Sequence, residues 1–209
     1  MNKAIETIYK RDQVERAIAA LSGRVSDGQQ RPEAGLRADL KRLIDRDRLE
    51  GIQTRKGPRS RYAFHDGSPP GKGVDQTYGF AAAFSLFAAE RLLRAGLTQQ
   101  RVVMRMRAAR PMLDSKVSEI LLASFPKAHA SSTRYKPDSD AMIFWMTIDG
   151  PAADLELWPE EFCTADEARS VLIASSMHCR PIVSIELVAA VIRLKYWLDR
   201  IPVRKRGRS

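Results

Sequence analysis

The feature that most constrains this chain is a pair of short apolar stripes at helical spacing, separated by ten residues that cannot continue a helix. Val14, Ala17, Ile18 and Leu21 recur at i, i+3, i+4 and i+7 after Asp12, a residue suited to capping, and Ser22-Gly23 end the run. Residues 23–32, GRVSDGQQRP, are turn formers and polar groups and read as a loop. A second helix is expected from Pro32 or Glu33 to about Arg48, with Pro near the first turn, where its missing N–H does no harm. Leu36, Leu40, Leu43 and Ile44 form its stripe. Ala38, Lys41, Arg42 and Asp45 point away from that stripe, with Arg37 and Arg48 at its flank.

The segment LEGIQTRKGPRSRYAFHDG follows. It contains a short extended run around Gly51 to Arg55, a Lys56-Gly57-Pro58 turn, and a return run in which Tyr62 and Phe64 face one way and Arg61 and Ala63 the other. This predicts a basic β-hairpin over about 53–64. Helix, loop, helix and basic hairpin, in that order, make a winged helix-turn-helix, in which one helix enters the major groove and the hairpin lies along the sugar–phosphate backbone. Arg55, Lys56, Arg59 and Arg61 would sit on the wing.

SPPGKGVD (68–75), with two Pro and two Gly, reads as a linker or wide turn. Beyond it Phe84, Phe87, Ala88 and Leu92 share one helical face, Gly96 ends that helix, and Thr98 caps another that carries Val102, Val103 and Met106 and stops before Pro111. A less regular helix is expected from Leu113 to Phe125, and 126–140 reads as loop. MIFWMTI (142–148) predicts a buried strand, with a second short strand near Leu155–Leu157 after the Asp149-Gly150 turn. Thr164 or Asp166 caps a helix through Ser175, and Ile182–Leu187 feeds a closing helix from Val188 to Arg200. The expected fold is therefore α+β: a winged helix-turn-helix (1–75), a central helical pair (76–125), a small mixed α/β domain (126–201) and a basic tail (202–209).

Charge separates these segments further. Residues 1–75 hold 16 Lys/Arg against 11 Asp/Glu, 76–136 hold 10 against 3, 137–201 hold 5 against 11, and the last eight residues hold 4 against none. A basic two-thirds followed by an acidic block points to a polyanionic partner for the first part and other work for the second. No stretch approaches the roughly 18 uncharged apolar residues of a membrane span. The nearest, Ile182 to Ile201, is broken by Glu186, Arg193, Lys195, Asp199 and Arg200. The start alternates charge with apolar residues as an amphipathic helix does, not as a leader does, so a cytoplasmic protein without membrane contact is expected.

Cys163 and Cys179 stand in no metal-ligand spacing, His178 lacks a second pair, and His65 and His129 are isolated. No phosphate-binding glycine loop, paired nuclease carboxylates or Ser/His/Asp arrangement can be named. The expectation is no metal, no cofactor and no enzymatic activity. Glu160-Glu161 read as surface. Phe144, Trp145 and Trp158 read first as core, and as a ligand pocket second.

Residues 7–110 resemble the MerR-like branch of winged-helix regulators. The resemblance is carried by TIYKRDQVERAI, then LKRLIDRDRLEGIQTRKGPRSRYAF, then FSLFAAERLLRAGLTQQRVV, and it covers about half the chain. It implies a helix-turn-helix, a basic wing and a helix pair joined by a Gly-containing turn. Two features depart from the pattern. The 23–32 loop is longer than the usual tight turn, and no sustained heptad for a dimerising coiled coil follows Pro111.

Together these readings predict a sequence-specific double-stranded DNA-binding protein, a transcriptional regulator that associates with the nucleoid when bound. Helix 33–48 would use Arg37, Lys41, Arg42, Arg46 and Arg48 in the major groove, and the wing Arg55, Lys56, Arg59 and Arg61 on phosphates. Arg101, Arg105 and Arg110, and the tail Arg204, Lys205, Arg206 and Arg208, would extend the basic surface. A homodimer is expected, with RNA polymerase or another regulator meeting the acidic domain. The competing reading is a protein–protein adaptor on a winged helix that does not bind DNA, its helix cations balanced by Asp39, Asp45 and Asp47.

Overall fold

The computed structural model describes residues 7–26, 31–53, 62–66, 75–123, 142–148, 161–177 and 182–203. Helix α1 spans Arg11–Ser22. Its start is fixed not at Asp12 but two residues earlier, where the Gln13 side chain accepts the Lys10 backbone N–H at 3.0 Å. Gly23, at φ 65°, closes the helix in the left-handed conformation that glycine adopts without penalty. The expected loop that follows holds a small ladder, β2 (Val25–Ser26) antiparallel to β3 (Arg31–Pro32). Before α1, β1 (Tyr9–Lys10) pairs with β4 (Thr77–Tyr78).

Helix α2 runs Ala34–Gln53, past the expected end at Arg48. Gly51 to Gln53, expected as the first strand of the wing, are helical. At Gly51 the helix meets the returning chain, and an added Cβ would stand 2.2 Å from the Tyr62 ring. That glycine serves close packing of the returning chain, not a turn. The expected return strand is also corrected. Ala63 and Phe64 are both fully buried, so sidedness does not alternate, and their N–H groups are taken by the Asp47 carboxylate at 3.1 and 3.2 Å instead of a strand partner. Residues 54–61, with Arg55, Lys56, Arg59 and Arg61, lie outside the described residues.

Helix α3 (Phe80–Arg94) and helix α4 (Gln99–Leu122) form the central pair, joined at Gly96 (φ 95°). Thr98 caps α4 as expected, its hydroxyl accepting the Arg101 N–H at 3.4 Å. The expected break at Pro111 does not occur, because α4 continues through it. Val102, Met106, Ala109, Leu113, Val117 and Ile120 are buried along one line on both sides of Pro111, and burying that line offsets the missing helical hydrogen bond.

In the C-terminal part β5 (Phe144–Ile148), β6 (Glu161–Cys163) and β7 (Ile182–Glu186) make an antiparallel sheet in the order β6-β5-β7, with Trp145 opposite Phe162 and Ile185. Glu161, read from sequence as surface, belongs to β6. Helix α5 (Ala165–Met177) begins where Thr164 and Glu167 exchange hydrogen bonds. Helix α6 (Leu187–Arg200) closes the chain, its first N–H groups received by Glu186. Leu155–Leu157 and Trp158 lie outside the described residues.

The molecule is α+β and mostly helical. One apolar core holds Ile18 of α1, Leu40 of α2, Phe84 of α3, Met106 of α4, Trp145 of β5 and Leu194 of α6. Residues from all three expected segments, 1–75, 76–125 and 126–201, therefore share it. Met146, Cys163 and Ala168 form a small second cluster under α5. No helix among the described residues is long and apolar enough to cross a membrane.

Candidate nucleic-acid interface

Helix α2 carries the cations of interest, and one buried ionic cluster holds it in place. Asp47 is fully buried and accepts from Arg107 Nε at 2.7 Å, while Arg107 also donates to the Asp47 carbonyl. With the two N–H groups of Ala63 and Phe64, this carboxylate ties α2, the returning segment and α4 together. Arg110, one turn on, ties α4 to the returning segment instead of to α2. It donates to the Ala63 carbonyl at 2.8 Å, to Asp114 at 2.5 Å and to Asp66, whose other oxygen accepts the Gly79 N–H at 3.2 Å. His65 stacks on Tyr78 with ring centroids 5.8 Å apart, and its Nε2 lies 3.2 Å from Gln76 Nε2. Burial pushes the His65 pKa below its ordinary value and the Tyr78 pKa above its own. The chain is thus fastened on both sides of residues 54–61.

These contacts correct one expectation. Arg105 and Arg110, read as part of an outer basic surface with Arg101, are 5% and 4% exposed. Arg105 falls in register with Val102, Met106 and Ala109, so the helix turns it into the core, whereas Arg101 is exposed.

The five cations predicted on α2 divide into two sets. At 100° per residue Arg37, Lys41 and Arg48 fall within about 40° of one another, on the flank next to α1. Arg37 is half-exposed and its Nε lies 3.0 Å from Glu15, a buried carboxylate of α1 that Arg11 also holds at 2.6 Å. Lys41 is exposed. Arg48 is half-buried, with no hydrogen-bond partner for its Nε among the described residues, and it lies close enough to the Tyr78 hydroxyl, as Arg11 does, to oppose the burial that raises its pKa. Two cations, Arg11 and Arg37, therefore share one carboxylate, with Lys41 and Arg48 further along the same flank of α2.

Arg42 and Arg46 are placed differently. They lie on the outer face and meet carboxylates of their own helix, Arg42 with Asp39 at 3.5 Å and Arg46 with Glu50 at 2.8 Å. Asp39 is shared with Arg24, which also reaches Glu33 at 3.0 Å and the buried Glu90 at 3.5 Å. One flank of α2 thus carries Arg37, Lys41 and Arg48, with Arg37 paired to Glu15 and Asp45 about 40° from Lys41, and the other carries Arg42 and Arg46 with carboxylates of their own helix.

Sequence reasoning missed Arg11. Its i,i+4 pairing with Glu15 was legible, but the sharing of Glu15 with Arg37 depends on how α1 crosses α2. Of the nine predicted residues, the structure gathers Arg37, Lys41 and Arg48, sets Arg42 and Arg46 apart, and leaves the other four outside the described residues. The tail cations Arg204, Lys205, Arg206 and Arg208 also lie outside them, although the chain leading there is held by Gln13 on the Ile201 carbonyl at 2.8 Å and Arg16 on that of Pro202 at 3.3 Å.

The remaining candidates have structural surroundings. Trp145 is fully buried in the core, and Phe144 packs on the small second cluster. Cys163 is buried, with its Sγ 3.8 Å from the Phe144 carbonyl. His129, His178 and Cys179 fall outside the described residues, among which no group of His, Cys, Asp and Glu is arranged to hold a metal ion. No family model, curated protein or solved structure matches the chain.

Proposed function

We propose that this chain is a sequence-specific double-stranded DNA-binding protein without enzymatic activity, acting as a transcriptional regulator. The observation that carries the reading is the alignment of Arg37, Lys41 and Arg48 along one flank of α2, beside Arg11 of α1, on a helix held in place by the buried Asp47 contacts. Rigid support is what a base-reading helix requires, because misplacement by an ångström loses hydrogen bonds to base edges. Like charges along one flank repel one another, and a phosphate backbone relieves that repulsion while releasing counterions. Arg55, Lys56, Arg59 and Arg61, between Gln53 and Tyr62, supply further phosphate contacts from the neighbouring segment. Arg42 and Arg46 contribute less because they lie on the other face of the helix; each must also give up a carboxylate, as must Arg37, although exposed pairs like those of Arg42 and Arg46 are worth only about 0–1 kcal/mol. Two copies would read two half-sites, and the acidic C-terminal residues would face RNA polymerase or another regulator.

Affinity of the full chain for a duplex, followed by fluorescence anisotropy as salt is raised, tests this. A steep fall is expected, and alanine at Arg37, Lys41 or Arg48 should each flatten the slope of log K against log salt by about one unit where that residue meets a phosphate. Arg42→Ala and Arg46→Ala should flatten it less. The protein–protein adaptor reading is favoured by one observation, the carboxylates already facing Arg37, Arg42 and Arg46. Absence of duplex binding at low salt would decide for the adaptor.

A further inference from the structure

The chain leaves α2 at Gln53 and is next described at Tyr62, whose ring lies back against α2. At Gly51 the helix offers no side chain, and the Tyr62 ring fills that notch so closely that an added Cβ would stand 2.2 Å from it. Two further groups box the ring: His65, edge-on with centroids 6.2 Å apart, and Arg107 of α4, whose guanidinium lies 5.8 Å from the ring centroid. Arg107 spans both sides of the gap. On the departing side it donates to the Asp47 carboxylate at 2.7 Å and to the Asp47 carbonyl, and on the returning side it covers Tyr62. The same carboxylate takes the Ala63 and Phe64 N–H groups, so guanidinium, carboxylate and ring form one clamp. Arg110 differs, because its partners are Ala63 and Asp66 on the returning side and Asp114 of its own helix. Only 16% of the Arg107 side chain is exposed, so its place is behind the surface and not on it.

We infer that Arg107 is a positioning residue for DNA binding: it fastens the two ends between which Arg55, Lys56, Arg59 and Arg61 lie, so that these cations meet phosphates from a fixed base. The inference rests on the DNA-binding function proposed above and adds α4, which carries none of the α2 flank, to the parts that set affinity. The physical argument is entropic. A stretch of chain held at both ends has lost part of its freedom before a ligand arrives, and less remains to be lost when its side chains engage phosphates. The residue type matters as well. A guanidinium lays one planar face on a ring while its edge reaches a carboxylate and a carbonyl together; a lysine ammonium has donors but no planar face.

Arg107→Lys in the full chain keeps the charge and removes the planar fork. Without DNA, the Ala63 and Phe64 amides should exchange hydrogen faster in this variant while cooperative melting is retained. With a duplex at fixed salt, fluorescence anisotropy should show an affinity lower by roughly three- to tenfold. The decisive readout is coupling. The double variant Arg55→Ala, Lys56→Ala should cost much less affinity in the Arg107→Lys background than in the parent, whereas Lys41→Ala, on α2 itself, should cost the same in both. A purely structural role for Arg107 would leave both costs unchanged. Should Arg107→Lys fail to fold, Tyr62→Leu, which removes the ring and keeps the Asp47 contacts, carries the same test. The inference is overturned if Arg107→Lys binds the duplex as the parent does, if the two amides exchange no faster, or if the coupling to Arg55 and Lys56 is no greater than that to Lys41. In those cases the parent still binds duplex and the DNA reading stands; a parent that binds no duplex overturns that reading, and this inference with it.

Discussion

Asp47 sits two residues before Leu49 on α2 and is the one charged residue of that helix that is fully buried among the described residues. Its carboxylate satisfies Arg107 and two peptide N–H groups at once. Replacing it with alanine would leave two peptide donors without partners and take the carboxylate from Arg107, which would keep only the residue-47 carbonyl, so Asp47→Ala should cost about 3–5 kcal/mol in urea denaturation. Arg107→Ala should cost less, since Asp47 would keep both N–H donors. His65 gives a pH signature at the same place. Its pKa in the folded chain is depressed below the ordinary 6.5 by burial, so its contribution to stability is complete above that value and is lost as pH falls toward the folded pKa. The urea midpoint should accordingly drop between pH 7.5 and pH 5, and His65→Gln should flatten that dependence; an unaltered pH profile would count against it.

Two elements carry residues that break the local rules for a helix, and each gives an opposite prediction. Gly51, inside α2, would gain about 1 kcal/mol of helix propensity as alanine, but its Cβ would strike the Tyr62 ring. Gly51→Ala should therefore destabilise, and adding Tyr62→Ala should recover part of the loss, a coupling that a double-mutant cycle reads directly. Pro111 lies thirteen residues into α4 and is exposed, so it offers no core contact in return for the hydrogen bond it removes. Pro111→Ala should raise stability by about 1–3 kcal/mol, the propensity gain less the entropy returned to the unfolded chain.

On the scale of the whole molecule, the amino-terminal helix leans on the carboxy-terminal one. The Tyr9 hydroxyl donates to Asp199 at 3.1 Å, Gln13 and Arg16 hold residues 201 and 202, and Val188, Val191, Leu194 and Leu198 of α6 belong to the shared core. A fragment ending at residue 125 should therefore lack a cooperative thermal transition by circular dichroism. A sharp melt from that fragment would mean that the first half folds alone, as a free-standing winged helix does. Much of the element order was legible beforehand, because Leu36, Leu40, Leu43 and Ile44, or Phe84, Phe87, Ala88 and Leu92, repeat at a helical period wherever they end up. Ends were less legible, as at Gly51 and Pro111, where contacts distant in sequence outweigh local propensity. Only part of the candidate site was legible: Arg37, Lys41 and Arg48 could be placed on one helix, but Arg11, Glu15 and the burial of Arg105 and Arg110 could not.

The sequence by itself determined that this chain has several one-faced helices, a short apolar strand region and a charge distribution that favours a polyanionic partner, since periodicity and charge are properties of the order of residues. Tertiary structure alone decided which carboxylate each arginine meets, that Asp47 and Arg110 are buried ties, and that α1 rests on α6. The physical reason is that an ion pair or a packed ring depends on where two helices cross, and that crossing is set by the sum of contacts over the whole core, not by any local stretch of chain.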